Sequence, residues 1–219
     1  MDRHILFDLD GTLVDTAPDL ANSLNAVRQD NGLQDLPFST IRPTVSLGGN
    51  AMIKLAFGLE EEDKGFAEVR QAFLQHYHDN IVNESNLFSD MEKVLQHINE
   101  RKLQWGIVTN KNEWLTTPLV NEMGLAKRAA CIVSGDTTEH RKPHPAPLLY
   151  ACKQMHVQPE DVIYIGDAER DIEAGRRAGT KTLAALYGYI ETDNDPASWQ
   201  ADGYVNSPIE IIDAITKLN

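Results

Sequence analysis

The sequence has little cysteine and few basic residues. Its two cysteines, Cys131 and Cys152, are too few and too poorly spaced for a disulfide framework or a zinc site, and we expect both to be structural. Twenty lysines and arginines stand against 33 acidic residues, which gives a net charge of −13. Because such a chain repels phosphate backbones and anionic lipid, nucleic acid and membrane are not expected as partners.

Long apolar runs are also missing. No stretch approaches the roughly 20 apolar residues of a membrane-spanning helix, and the first residues lead into a candidate strand without the pattern of a secretory signal. We therefore expect a cytoplasmic protein. The 219 residues, 42% of them hydrophobic, suffice for one domain, with or without a small inserted module.

The chain changes its pattern along its length. Residues 16–82 carry apolar residues at helical spacing, and Thr16 with Asp19 resembles a capping box. From Met91 onward helices alternate with candidate strands at 104–109, 131–134, 161–166 and 181–186, as in parallel α/β proteins. A polar, Asp-rich loop is expected at 191–202. These patterns predict an α/β core, residues 1–15 and 83–219, with an all-helical cap, residues 16–82, inserted into it.

The opening stretch HILFDLDGTLVD, residues 4–15, places two carboxylates where a buried strand ends. On an extended strand Asp8 and Asp10 would point to the same face. Two like charges about 4 Å apart repel by roughly 4 kcal/mol at an effective dielectric near 20. The sequence therefore predicts that one carboxyl stays protonated or that a cation lies between them.

Other polar residues follow later strands. Thr109 and Asn110 come after one predicted strand and Asp167 after another, while Asp171 lies one helical turn further on. Because ligands bind at the carboxyl ends of parallel strands, these residues are candidates for one site. Each has an ordinary explanation when taken alone, as a turn, a helix cap or, for Lys142, a solvated loop charge. Together, at consecutive strand ends, they favour a functional site.

The segments DLDGTLVD, TN, KPHP and GDAERD resemble the four-motif signature of the haloacid dehalogenase superfamily of phosphotransferases. The resemblance implies a Rossmann-like core with an inserted helical cap. It also implies that Asp8 is the nucleophile, forming an aspartyl-phosphate, and that Asp10 is the general acid and then the base.

The resemblance implies a cofactor as well. Mg²⁺ would be held by Asp8, the Asp10 backbone carbonyl and Asp167, with Asp171 as direct or outer support. The substrate would be a small phosphorylated metabolite, and the residues implied in binding its phosphoryl group are Thr109, Asn110 and Lys142, the lysine supplying positive charge.

The acid at position 10 points, within this superfamily, to a phosphatase or a mutase. Longer segments such as RKPHPAPLLYAC and GDAERDIEAGRRAG resemble phosphoglycolate phosphatases and the related N-acetylmuramic acid 6-phosphate phosphatases. The alternative is a sugar-phosphate mutase of the β-phosphoglucomutase type, although LGGNAM lacks the basic residues normal in a mutase cap.

Three further sequence features, two in the cap and one in the core, concern substrate binding and loop stiffness. Gly48 and Gly49 are expected to let the backbone approach a substrate, and Arg42 either pairs with a substrate anion or serves the surface of the cap. Lys111-Asn112 departs from the Lys-Pro usual in the family, which we expect to affect loop stiffness. A monomer and a homodimer are both compatible with the sequence.

Overall fold

The computed structural model describes residues 3–190 and 194–218, and its centre is a six-stranded parallel sheet. The strands lie in the order β5-β4-β1-β6-β7-β8. Their bounds are β1 His4–Phe7, β4 Trp105–Val108, β5 Ile132–Val133, β6 Val162–Gly166, β7 Lys181–Ala185 and β8 Gly203–Val205. The predicted α/β fold class is therefore confirmed.

The sheet is buried on both faces. In β1 the side chains of Ile5 and Phe7 belong to one apolar cluster, whereas Leu6 belongs to another together with Leu148 and Cys152. This alternation of buried apolar side chains from Ile5 to Phe7 is what a parallel sheet covered on both sides requires. The helices of this part are α5 Met91–Glu100, α6 Glu113–Glu122, α7 Ala146–Met155, α8 Glu169–Ala178 and α9 Glu210–Leu218.

The segment between the first strand and α5 is helical. It contains α1 Ala17–Asp30, α2 Phe38–Ile41, a 3₁₀ helix Arg42–Leu47, α3 Gly49–Phe57 and α4 Phe66–Asp79. A two-stranded antiparallel ribbon of β2 Val14–Asp15 and β3 Asn86–Leu87 joins this segment to the core. We call residues 16–82 the cap, and these boundaries stay a prediction.

Several local expectations were wrong. β1 ends at Phe7, so Asp8 and Asp10 do not sit on an extended strand. No capping box forms at Thr16, because its hydroxyl donates to Asp10 Oδ1 at 2.6 Å, while Asp19 accepts the Ser85 hydroxyl at 2.7 Å.

Three short strands were not predicted, since β2, β3 and β8 have too few residues to show a period. Residues 191–193 of the expected polar loop lie outside the described residues. Among the described helices, none has both the length and the apolar content needed to cross a bilayer.

Candidate active site

The carboxyl ends of three adjacent strands bring the first candidate residues together. Asp8 follows β1, Thr109 follows β4 and Asp167 follows β6, and all three side chains are buried. Gly11 allows the chain after Asp8 to turn here, with a φ of +83°. A Cβ at Gly11 would lie 2.2 Å from Asp167 Oδ2, so both the turn and the close approach require glycine.

Three carboxylates form a compact group. One oxygen of each of Asp8, Asp167 and Asp171 lies within 4.8 Å of the others, and all three residues are buried. Asp171 is fixed in the first turn of α8, where its Oδ2 accepts the Ala168 N–H at 3.1 Å. The structure therefore brings Asp167 and Asp171 together, as their spacing of four residues predicts, and their role in a site stays a prediction.

Lys142 is the cation of this group. Its ammonium lies 2.9 Å from Asp8 Oδ1 and 2.8 Å from Asp171 Oδ1, and its side chain is fully buried. Nζ also donates to the Val108 carbonyl oxygen at 2.9 Å and to the Tyr164 hydroxyl at 2.8 Å. The amide of Asn110 holds the lysine backbone through two hydrogen bonds of 3.0 Å. Asn110 thus positions Lys142 from the neighbouring strand end.

The charges of the group do not cancel. Burial raises the pKa of Asp8 to about 7, Lys142 lowers it in part, and the carboxylates of Asp171 and Asp167 raise it further. Burial and Asp171 likewise raise the pKa of Asp167. The guanidinium of Arg170 lowers the pKa of both Asp8 and Asp167 in part, so two cations, Lys142 and Arg170, face three carboxylates. A further positive charge would favour the ionised form of all three. Buried, closely spaced carboxylate oxygens suit a hard cation such as Mg²⁺.

Asp10 lies in a different environment. Its Oδ1 accepts Lys111 Nζ at 2.9 Å and the Thr16 hydroxyl at 2.6 Å. Its carboxylate is not part of the three-acid group. Asp8 and Asp10 therefore each contact a different lysine, so a separate cation accompanies each carboxylate.

A cavity of about 440 Å³ lies between the cap and the core. It is lined by Asp8, Asp10, Thr109 and Asn110 from the core and by Gly48 and Gly49 from the cap, so the structure brings these predicted residues to one space. Gly48 has a φ of +88° and open space at its Cβ position. Ser46 of the cap donates to Asp167 Oδ2 at 2.8 Å, which joins the cap directly to the three-acid group.

Several residues of the site were not predicted as functional. Among them are Ser46, Arg70, Lys111, Tyr164 and Arg170. Tyr164 lies in the apolar strand β6, where the sequence indicates only a core aromatic, and its contact with the site is the hydroxyl that accepts a hydrogen bond from Lys142 Nζ. Arg170 lies between Asp167 and Asp171 in the segment GDAERD. Its position between two candidate metal ligands could have identified it as a residue of the site. Its guanidinium lines the cavity and makes no hydrogen bond or ion pair within the described residues.

Arg42 contacts the core instead of lining this cavity. Its guanidinium donates to the carbonyl oxygens of Tyr187 at 3.2 Å and Gly188 at 3.1 Å, and it lies 4.8 Å from the ring centroid of Tyr189. Arg42 therefore fastens the cap to the loop after β7.

The family model of the haloacid dehalogenase-like hydrolases matches residues 5–185. The chain belongs to this family. The match spans the three-acid group, Lys142 and the whole cap, so the resemblance drawn from the four motifs is confirmed.

Curated relatives of this haloacid dehalogenase-like protein carry two names. An N-acetylmuramic acid 6-phosphate phosphatase of Pseudomonas putida is 41% identical, over 95% of this chain and 94% of the relative. A phosphoglycolate phosphatase of Xanthomonas campestris is 42% identical over the same shares of the two chains. A crystal structure of a predicted phosphoglycolate phosphatase from Haemophilus somnus, 26% identical, superposes with a TM-score of 0.85 over 97% of both chains. The chain thus shares its Rossmann-like fold with this solved structure.

Proposed function

We propose that the protein is a Mg²⁺-dependent phosphomonoester hydrolase that forms an aspartyl-phosphate on Asp8. The observation that carries this proposal is that the two oxygens of the Asp8 carboxylate differ in their contacts. Oδ1 is held by the Leu9 N–H at 2.7 Å and by Lys142 at 2.9 Å. Oδ2 accepts no hydrogen bond within the described residues, and the residue lines the cavity. A buried carboxylate with one fixed and one free oxygen is arranged for nucleophilic attack.

In the first step, Asp8 Oδ2 attacks the phosphorus of the ester. A bond forms between that oxygen and phosphorus, and the bond from phosphorus to the ester oxygen breaks. Asp10 gives its proton to the leaving oxygen, so the alcohol departs neutral. Lys142, Thr109 and the unpaired guanidinium of Arg170 place positive charge and donors where the phosphoryl oxygens gain charge.

In the second step, the Asp10 carboxylate takes a proton from a water molecule, which attacks the same phosphorus. The bond between phosphorus and the Asp8 oxygen breaks, which restores the carboxylate and releases inorganic phosphate. Lys111 and Thr16 orient Asp10 for both transfers through their contacts with Oδ1. Since the cavity lies under the cap, the cap would limit the access of bulk water to the intermediate.

The metal site of this proposal consists of Asp8, the Asp10 backbone carbonyl and Asp167, with Asp171 beside them. When bound, Mg²⁺ would supply the positive charge that the three buried carboxylates still lack beside Lys142 and Arg170. Asp167 is already fixed for this role, because the Thr12 hydroxyl and the Tyr189 N–H hold its two oxygens at 3.2 and 2.9 Å.

The leading substrates are N-acetylmuramic acid 6-phosphate and 2-phosphoglycolate, since both activities occur in the names of relatives near 41% identity. The cytoplasmic location and the monomeric or homodimeric state stay predictions. A mutase is the alternative from the sequence, and no contact in the structure favours it.

The test is release of inorganic phosphate from both esters with Mg²⁺, with Asp10→Asn as the inactive control. Release by the wild type and its loss in the variant support the proposal. Conversion of a sugar phosphate to an isomer without release of phosphate would overturn it in favour of the mutase.

A further inference from the structure

One face of α4 spans the cavity from its reacting end to its far end. Arg70, Phe73, Leu74 and Tyr77 all line the cavity, and residues at these spacings share a helix face. The ring of Tyr77 lies 4.5 Å from Lys111 Nζ, which in turn contacts Asp10. Because a helix rises about 1.5 Å per residue, Arg70 lies about 10 Å further along the axis than Tyr77.

Arg70 is held in place yet keeps most of its donors free. Its Nε donates to Asn50 Oδ1 at 2.6 Å, and its side chain is half-buried. The two terminal nitrogens make no hydrogen bond or ion pair with any described residue. Glu61 lines the same cavity without forming an ion pair with it. By contrast, the cavity arginine Arg141 donates to the Gly135 carbonyl and to Asn112.

A guanidinium that is held through Nε and has both terminal nitrogens available can bind a carboxylate through two parallel hydrogen bonds. The phosphoryl group cannot supply this anion, because its phosphorus must reach Asp8 at the other end of the cavity. Arg70 therefore faces a second anionic group of the same substrate, separated from the phosphate by a spacer of several ångströms.

The length of the spacer between the phosphate and the acid group distinguishes the candidate esters. In 2-phosphoglycolate three bonds of about 1.5 Å join phosphorus to the carboxyl carbon, too short a span for the length of α4 between Tyr77 and Arg70. A hexose 6-phosphate with an acid group on the ring is long enough. The cavity of about 440 Å³ also falls within the range of pockets for larger organic ligands, about 300 to 1,000 Å³.

We propose that Arg70, oriented by Asn50, binds a carboxylate on the sugar ring of the substrate and selects acid-bearing sugar phosphates. This inference rests on the proposed function, since it assigns the phosphate to the Asp8 end. N-acetylmuramic acid 6-phosphate has the required chemistry. N-acetylglucosamine 6-phosphate is the matched neutral sugar, as it lacks only the lactyl acid.

The test compares kcat/KM for these two sugar esters and for 2-phosphoglycolate in wild type and Arg70→Gln. We expect the wild type to favour the muramic ester over the glucosamine ester by about 10- to 100-fold. Arg70→Gln should bring that ratio close to one, mainly through KM for the muramic ester. Lys64→Gln removes an exposed cap charge outside the cavity and should keep the wild-type ratio.

A wild-type ratio near one, or a ratio unchanged in Arg70→Gln, overturns the inference. So does a wild-type preference for 2-phosphoglycolate. Calorimetric binding of both sugar esters to Asp8→Asn, with and without Arg70→Gln, separates this inference from the proposed function. Selective binding that depends on Arg70 without turnover in the wild type would overturn the hydrolase proposal and support the carboxylate site. Equal affinities for the two esters in Asp8→Asn would overturn the carboxylate site.

Discussion

The ammonium of Lys111 lies 2.9 Å from Asp10 Oδ1, and the lysine side chain is 8% exposed. The same ammonium lies 4.5 Å from the ring centroid of Tyr77 in the cap. One lysine therefore joins the proposed acid to the cap. Although burial opposes the charge, the Asp10 carboxylate raises the pKa of Lys111, which favours the protonated lysine while Asp10 is ionised.

Replacing this lysine should impair catalysis. Lys111→Met leaves Asp10 with only the Thr16 hydroxyl and removes a cation from the cavity. Because a charge-assisted hydrogen bond contributes about 1.5 to 3 kcal/mol, kcat/KM for phosphate release should fall by about 10- to 100-fold. Lys111→Arg should retain more activity than Lys111→Met. Steady-state kinetics that differ by less than twofold between Lys111→Met and the wild type would show that Lys111 does not position Asp10.

Asp8→Asn should abolish turnover without destabilising the fold. Burial and the neighbouring acids raise the pKa of Asp8 to about 7 although Lys142 opposes them, so its charge is unfavourable when no cation is bound. Removing that charge leaves Lys142 paired with Asp171 at 2.8 Å. Thermal unfolding in EDTA should give a Tm no lower than that of the wild type, and a phosphate assay should give no release. Retained release would rule out Asp8 as the nucleophile.

Metal binding should be visible in the stability of the protein. A ligand at 100 times its Kd stabilises the folded state by about 2.7 kcal/mol, and Mg²⁺ should raise the Tm of the wild type accordingly. Asp167→Asn removes one of the three clustered carboxylates and should largely remove this increase. Asp35→Asn changes an exposed cap residue and should leave it in place. An equal Mg²⁺ effect in Asp167→Asn and the wild type would place the metal elsewhere.

Asp202 gives a pH-dependent prediction for the edge strand β8. Partial burial opposes its ionisation, yet donors from Lys181 at 2.6 Å and Thr182 at 2.9 Å hold the pKa of Asp202 below its usual value. A lowered pKa in the folded state contributes stability above the unfolded pKa of about 3.9, and this contribution is lost as the pH falls through the folded pKa.

Asp202→Asn should therefore lower the free energy of unfolding at pH 7 by about 1 kcal/mol. The difference from the wild type should shrink below about pH 4. Urea unfolding at several pH values measures it, and a difference that is as large at pH 3 as at pH 7 would contradict the assignment.

Arg42 and Arg70 should behave differently, although both belong to the cap. Arg42→Gln removes hydrogen bonds to the core carbonyls of Tyr187 and Gly188, so it should lower the free energy of unfolding by about 1 to 2 kcal/mol. Its ratio of kcat/KM for the muramic and glucosamine esters should equal that of the wild type. A change in that ratio in Arg42→Gln would show that Arg42 contacts an anionic group of the substrate.

Much of the site could be predicted because it depends on where strands end. The runs before Asp8, Thr109 and Asp167 are apolar and short, and parallel strands bring their carboxyl ends to one edge. The spacing of four residues then placed Asp171 beside Asp167.

The remaining part depends on the packing of the cap on the core, which no spacing encodes. Lys111 is an ordinary loop lysine until Tyr77 and Asp10 meet around it. The direction in which Arg70 faces is known only once α4 covers the cavity. The missing cap at Thr16 has a tertiary cause as well, since the Thr16 hydroxyl donates to Asp10 Oδ1 and not to the helix backbone.

The most direct test of the hydrolase proposal is to trap the phosphorylated enzyme. Asp10→Asn, mixed with Mg²⁺ and an ester whose leaving group needs no protonation, should be phosphorylated but should release phosphate slowly. Mass spectrometry of rapidly acid-quenched protein should then find one phosphoryl group on the peptide that contains Asp8, and none in the Asp8→Asn variant. An unmodified Asp8 peptide during continued phosphate release would contradict the proposed aspartyl-phosphate.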